Sequence, residues 1–126
     1  MVKFYFRGKG SAYRLVKEKL NLLNVEYEEI PFCPYSPEHN EKIIMELVEK
    51  SENGFDDIVI RGKTTREILE NYTTKSLVKY LASHLHYLQK CFVVSDKVMV
   101  VGVNELDEYT PFIAFEKREM SKFYVS

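Results

Sequence analysis

The 126-residue chain has no tryptophan, two cysteines, five glycines and four prolines. Each scarcity excludes something. Cys33 and Cys91 lie far apart on different segments, which rules out a disulfide framework and suits a reducing compartment. Charge of one sign is also lacking: 18 basic residues face 19 acidic ones, for a net charge of −1. No global basic field is present to hold DNA or an anionic membrane, so any action on nucleic acid passes through a partner. No apolar run approaches the roughly twenty residues of a spanning helix, and the start lacks the apolar core of a signal peptide. These absences lead us to expect a cytoplasmic protein with no membrane contact. The length suits one domain that buries its own core without staples.

What is present is organised around the opening stretch. Met1 to Phe6 is a short run of β-branched and aromatic residues, which reads as a buried strand. Arg7-Gly8-Lys9-Gly10-Ser11 interrupts it, and a helix follows with Ser11 as candidate N-cap. Ala12, Val16, Leu20 and Leu23, flanked by Leu15 and Tyr13, recur at helical spacing. Val25 to Ile30 reads as a second strand, completing a βαβ unit. In such units the loop from the first strand into the helix is where backbone N–H groups face a ligand or a nucleophile.

That loop contains no cysteine. A Cys-x-x-Cys pair at a helix start is a redox site, because the helix N-terminus lowers the thiol pKa and the second cysteine resolves the mixed disulfide. Gly10 and Tyr13 stand at the matching spacing, and neither is a thiol. The loop can cradle an anion through its N–H groups with Lys9 and Arg14, or it can be an ordinary glycine-containing turn.

Further along, Pro31 to Pro37 holds three of the four prolines and reads as an extended connection. A helix is expected from Glu38, with Ile43, Ile44, Leu47 and Val48 on one face. Asn53-Gly54 stops it, the glycine suiting the left-handed position past a helix end. Phe55 to Ile60 reads either as a short strand or as a helical turn burying Ile58 and Ile60. Arg61-Gly62-Lys63-Thr64-Thr65 resembles the tail of a phosphate-binding loop, but Asp57 stands where that motif needs its first glycine. Helices are predicted over 65–70 and 75–88, the second with Leu77, Val78, Leu81, Leu85 and Leu88 on one side. His84 and His86 have the wrong spacing for a helical zinc pair. Phe92–Val94 and Val98–Val101 form a hairpin around Ser95-Asp96-Lys97, closed by Gly102. A last short helix is expected at 105–108, and a partly flexible tail at 117–126.

This order resembles the arsenate reductase and Spx family, an α/β, thioredoxin-like fold with helices inserted between the second and third strands. The resemblance is carried by Met1-Val2-Lys3-Phe4-Tyr5, by Glu52-Asn53-Gly54-Phe55-Asp56-Asp57-Ile58-Val59, and by the stretch from Ser95 to Glu105. It is closer to the Spx branch. It implies one domain over 1–126: a thioredoxin-like core at 1–32 and 91–116, and a helical insert at 38–90. It implies docking on the C-terminal domain of the RNA polymerase α subunit, with DNA reached only through polymerase and a protease adaptor as a further partner. Gly54 matches the glycine central to that docking, and Asn53, Phe55 and Glu49 surround it.

Two departures bear on mechanism. Gly10 and Tyr13 replace the redox pair, so the resemblance implies neither enzymatic activity nor a thiol switch, and no cofactor or metal. Lys90-Cys91 replaces an Arg-Pro whose proline is cis in the family. A cis bond before a non-proline residue costs about 2.5–4 kcal/mol, so a trans peptide and a reshaped pocket are expected. Arg61 and Lys90 stand as candidate anion-binding residues, Lys90 as a point charge without the bidentate fork. Cys33 and Cys91 read as structural. The leading expectation is a redox-inactive, Spx-like regulator. The alternatives are a degenerate reductase-fold protein that binds a small anion or thiol, and a decoy that occupies the partner without activating transcription.

Overall fold

In the computed structural model, residues 2–96 and 98–102 are described. The expected terminal helix and tail lie outside them. Strand β1 (Val2–Phe6), helix α1 (Ser11–Leu22) and strand β2 (Tyr27–Pro31) form the βαβ unit, with β1 and β2 parallel. Helices α2 (Pro37–Lys50), α3 (Phe55–Ile58), α4 (Lys63–Asn71) and α5 (Thr74–Ser83) make up the insert. Strands β3 (Cys91–Val94) and β4 (Met99–Val101) return as an antiparallel hairpin, giving, among the described residues, a four-stranded sheet in the order β2-β1-β3-β4.

The pleat explains the two cores. Successive side chains point to opposite faces of a strand, so Val2, Phe4, Phe6, Cys91 and Val93 join Val16 and Leu20 of α1 on one face. Tyr5, Phe92 and Val94 meet Ile43, Ile44 and Leu47 of α2 and Leu81 of α5 on the other. Lys3 reaches Glu46 of α2 at 3.3 Å, and the Tyr5 hydroxyl donates to the same carboxylate.

Several sequence expectations are corrected. Ser11 is the first helical residue of α1, and Gly10, in extended conformation, takes the cap position with no side-chain bond to close it. Leu15 faces solvent at 52% exposure, because Tyr13, Val16 and Leu20 fill the sheet-facing stripe. Val25 belongs to the end of α1 rather than to β2. Asn24 adopts φ +55°, and bonds from Val25 N to Leu20 O (3.2 Å) and Asn24 N to Asn21 O (3.0 Å) form a Schellman turn. Helix α2 begins at Pro37, where the missing N–H costs nothing in the first turn.

Phe55 to Ile60 resolves into the helical turn α3, which buries Ile58; Val59 is buried just after it, while Ile60 stays half-buried. The long helix expected over 75–88 breaks at His84, whose Nδ1 bonds the Tyr80 carbonyl (2.7 Å) while its ring stacks on Tyr80. A 3-10 turn, Leu85–Tyr87, follows. The 90–91 peptide is trans.

Asn40, fully buried on α2, is a polar residue that periodicity assigns to solvent. Its Oδ1 accepts from Cys33 N (2.9 Å), and its Nδ2 donates to Cys33 O (2.7 Å) and Ala82 O (3.0 Å). One amide thus ties the proline-rich connection to α2 and α5. Asn40→Ala strands those groups in the interior and is expected to cost about 2–4 kcal/mol in urea unfolding. A loss under about 0.5 kcal/mol, within the range of an ordinary surface change, would contradict this role.

Candidate functional site

Two regions carry chemistry. The first is the loop between β1 and α1. Arg7 N donates to Lys90 O (3.0 Å), which ties the loop to the entrance of β3. Arg7, Gly8, Gly10, Ser11, Tyr13 and Lys90 line a cavity of about 230 Å³. Burial lowers the Arg7 pKa, with the Cys91 thiol acting in the opposite direction, and Arg7 Nε is buried with no hydrogen-bond partner among the described residues.

Of the residues expected at this loop, the structure brings Gly10, Tyr13 and Lys90 to the cavity and leaves others outside. Tyr13 is nearly buried, with its ring against Phe4 and Phe6 (centroids 5.4 and 4.7 Å). Its hydroxyl donates to Glu29 on β2, and Lys17 Nζ lies 3.4 Å from it. The carboxylate bond, with burial, raises the Tyr13 pKa. Lys9 sits 5.9 Å above the Tyr13 ring. Arg14 is exposed and lines a separate depression with Lys17, Glu18 and Leu22. Arg61 is exposed and does not line the cavity. The second cation there is Arg7, the first residue after a fully buried strand segment.

Neither thiol serves this loop. Cys91 is 2% exposed, and burial pushes its thiol up to about 11, against the opposing pull of Arg7 and Lys90. Cys33 is half-buried, with its backbone N–H and carbonyl held by Asn40; both cysteines are free. No group of three or more metal-ligating side chains lies together among the described residues.

The second region is the turn after α2. Helix α2 ends at Lys50 with Ser51 extended, so Gly54 is not its C-cap. Gly54 instead precedes α3 at φ +66°, ψ −132°, a mirror-image extended conformation that glycine alone adopts without strain. A Cβ there would meet nothing within 4 Å. Asp57 holds the turn by accepting from Asn53 N (2.8 Å) and Asn53 Nδ2 (3.1 Å). Glu49 and Phe55, on either side of the turn, both line an apolar groove of about 660 Å³ between α2 and α5. Sequence reasoning missed the rest of that groove. Its signal was Met45, an apolar residue off the buried α2 stripe, with Val78 next to the buried Leu77 of α5.

No family model and no curated protein matches the sequence. Solved structures do. A Staphylococcus aureus protein studied by solution NMR is 16% identical with a TM-score of 0.65, covering 86% of this chain and 97% of that one. A possible arsenate reductase from Streptococcus mutans is 22% identical with a TM-score of 0.60, over 81% of this chain and 90% of that chain. An arsenate reductase-related protein from Brucella melitensis is 12% identical with a TM-score of 0.59, over 88% and 93%. These likenesses show the fold: the α/β, thioredoxin-like architecture of arsenate reductase-related proteins. Among the described residues, no helix is long and apolar enough to cross a membrane.

Tyr5, Tyr13 and Cys91 all hold their protons above the ordinary range, Tyr5 chiefly through burial. The unfolded chain releases these protons first, so above the unfolded thiol value the native state binds more protons and stability falls with rising pH. Cys91, raised from 9.0 to about 11, accounts for roughly 2–3 kcal/mol of that loss. Urea melts from about pH 8 to about pH 11 are expected to show the decline across this window. A flat profile would contradict the burial of these groups.

Proposed function

We propose that the chain is a non-enzymatic, Spx-like transcriptional regulator that docks on the C-terminal domain of the RNA polymerase α subunit. The observation that carries the reading is Gly54. It holds a conformation closed to other residues, with open space around it, at a turn leading into the Phe55 side of an apolar groove. A backbone bare at this point lets a partner approach closely, and an added side chain stands in the contact. The thioredoxin-like fold supports the reading, and so does a loop in which Gly10 and a core-bound Tyr13 replace the thiols. With a net charge of −1, DNA is reached through polymerase rather than directly. Such a regulator works without thiol control, in the cytoplasm, and is set by its abundance, a protease adaptor being a second partner. A decoy shares the same face and differs only in failing to activate transcription in a reconstituted assay.

Calorimetric titration of the purified α C-terminal domain is expected to show binding that Gly54→Arg weakens at least about tenfold. Circular dichroism checks that the variant is folded, since a side chain at this φ strains the backbone by about 1–3 kcal/mol. No binding by the folded wild-type protein, or equal binding by the variant, would sink the reading.

A second reading has its own observation. The buried, unpartnered Nε of Arg7 beside Lys90 and the α1 N-terminus offers a small anion donors and positive charge. On this reading the chain is a degenerate reductase-fold protein that binds an oxyanion or thiol ligand without turning it over. Sulfate or arsenate at millimolar concentration would then raise the melting temperature of the wild type and not of Arg7→Met. Equal melting temperatures with and without the anions would remove this alternative.

A further inference from the structure

We infer that the groove between α2 and α5 seats an amphipathic helix of the partner, whose apolar stripe carries basic residues along one edge and acidic residues along the other. The inference rests on the polymerase reading for the partner's identity only; the groove's chemistry stands apart from it.

The floor is apolar: Val48 of α2, Val78 of α5 and Phe55, each half-buried, with Met45 at the rim 61% exposed. The walls differ in sign. Glu41 and Glu49 stand on the α2 side, eight residues apart and so on one helix face; Lys75 and Lys79, four apart, stand on the α5 side. None of these four charges takes part in an ion pair among the described residues, whereas Lys3–Glu46 and Lys17–Glu29 pair elsewhere on the surface. The groove therefore holds its acids and bases apart with an apolar strip between them.

That pattern selects its occupant. An apolar strip between charged walls has the form of a groove that takes the apolar anchors of a helix. A uniformly basic segment meets repulsion from the α5 wall, and a uniformly acidic one from the α2 wall. An extended strand gains its affinity from the backbone edge of a sheet, which two helices do not offer; an amphipathic helix gains it from apolar anchors laid in a groove. From Glu41 to Glu49 the α2 wall runs about 12 Å, room for two helical turns. Basic side chains on one flank then face the glutamates while acidic ones on the other face the lysines.

The test is amide-shift mapping of the full chain with two synthetic helical peptides of identical composition. Both carry a leucine stripe. In one, lysines and glutamates are segregated on opposite flanks; in the other, each flank mixes both. The segregated peptide is expected to bind at least about tenfold more tightly, with shifts in 41–49 and 74–79. Met45→Glu, an exposed position whose change leaves the core intact, is expected to abolish that binding. Lys75→Glu with Lys79→Glu should transfer preference to a peptide with lysines on both flanks. Equal affinity for the two peptides, shifts centred elsewhere, or no binding would overturn the inference. Titrating the α C-terminal domain separates the two readings. If it binds wild type and Met45→Glu equally, the groove is not its seat and the inference falls while the polymerase reading survives. If it fails to bind wild type while the segregated peptide binds, the polymerase reading falls and the groove stands.

Discussion

Strand β1 is covered on both faces, and the rest of the described chain is arranged to cover it. Four of its five residues are buried, three against α1 and one against the helical insert. A central strand in this position cannot slip by one residue without exchanging the two cores. Its register with β2 and β3 is therefore fixed, and with it the place where the chain leaves the sheet at Arg7. The loop into α1 lies where it does because the two cores require it. The Arg7 N–H to Lys90 carbonyl bond extends the β1–β3 pairing by one step and holds together two residues that line the cavity.

In a thioredoxin-like fold that loop is the natural place for a thiol. Here Gly10 and Tyr13 hold the matching positions. Tyr13 fills the space beneath the loop with an aromatic ring, and Glu29 on β2 takes its hydroxyl, so the helix start is fastened to the core. What remains open is small and cationic. The larger apolar opening lies in the helical insert, lined by residues of α2 and α5 together with Phe55.

Much of this was legible in the sequence because the signals are local. The β-branched and aromatic runs of Val2–Phe6 and Phe92–Val94, the turn that follows Val94 and the stripe of Val16 and Leu20 each depend on neighbours a few residues away. What was not legible depends on distant contacts. Asn40 looks like a surface residue until Cys33 and Ala82 are brought to it. The break at His84 comes from a ring stacked on Tyr80 and a side-chain bond to its carbonyl, which the apolar spacing of Leu85 and Leu88 conceals. Val25 fits a strand by type, but Asn24 in the left-handed region claims it for the helix end. Gly54 reads as a helix stop, whereas its backbone serves the start of α3, and the two roles share one residue type. At the candidate sites, Glu49 and Phe55 share one groove, whereas Arg61 and Arg14 stay away from the loop cavity that Arg7 and Lys90 line.

We propose a docking face at the end of α2 rather than a reaction site at the loop into α1. The most direct measurement is the amide-shift map of the isotope-labelled chain in the presence of the polymerase α C-terminal domain. Shifts are expected to concentrate at Glu49, Asn53, Gly54 and Phe55, with the Gly8–Tyr13 loop unmoved. Shifts confined to that loop and Lys90, or none at saturating partner, would contradict it.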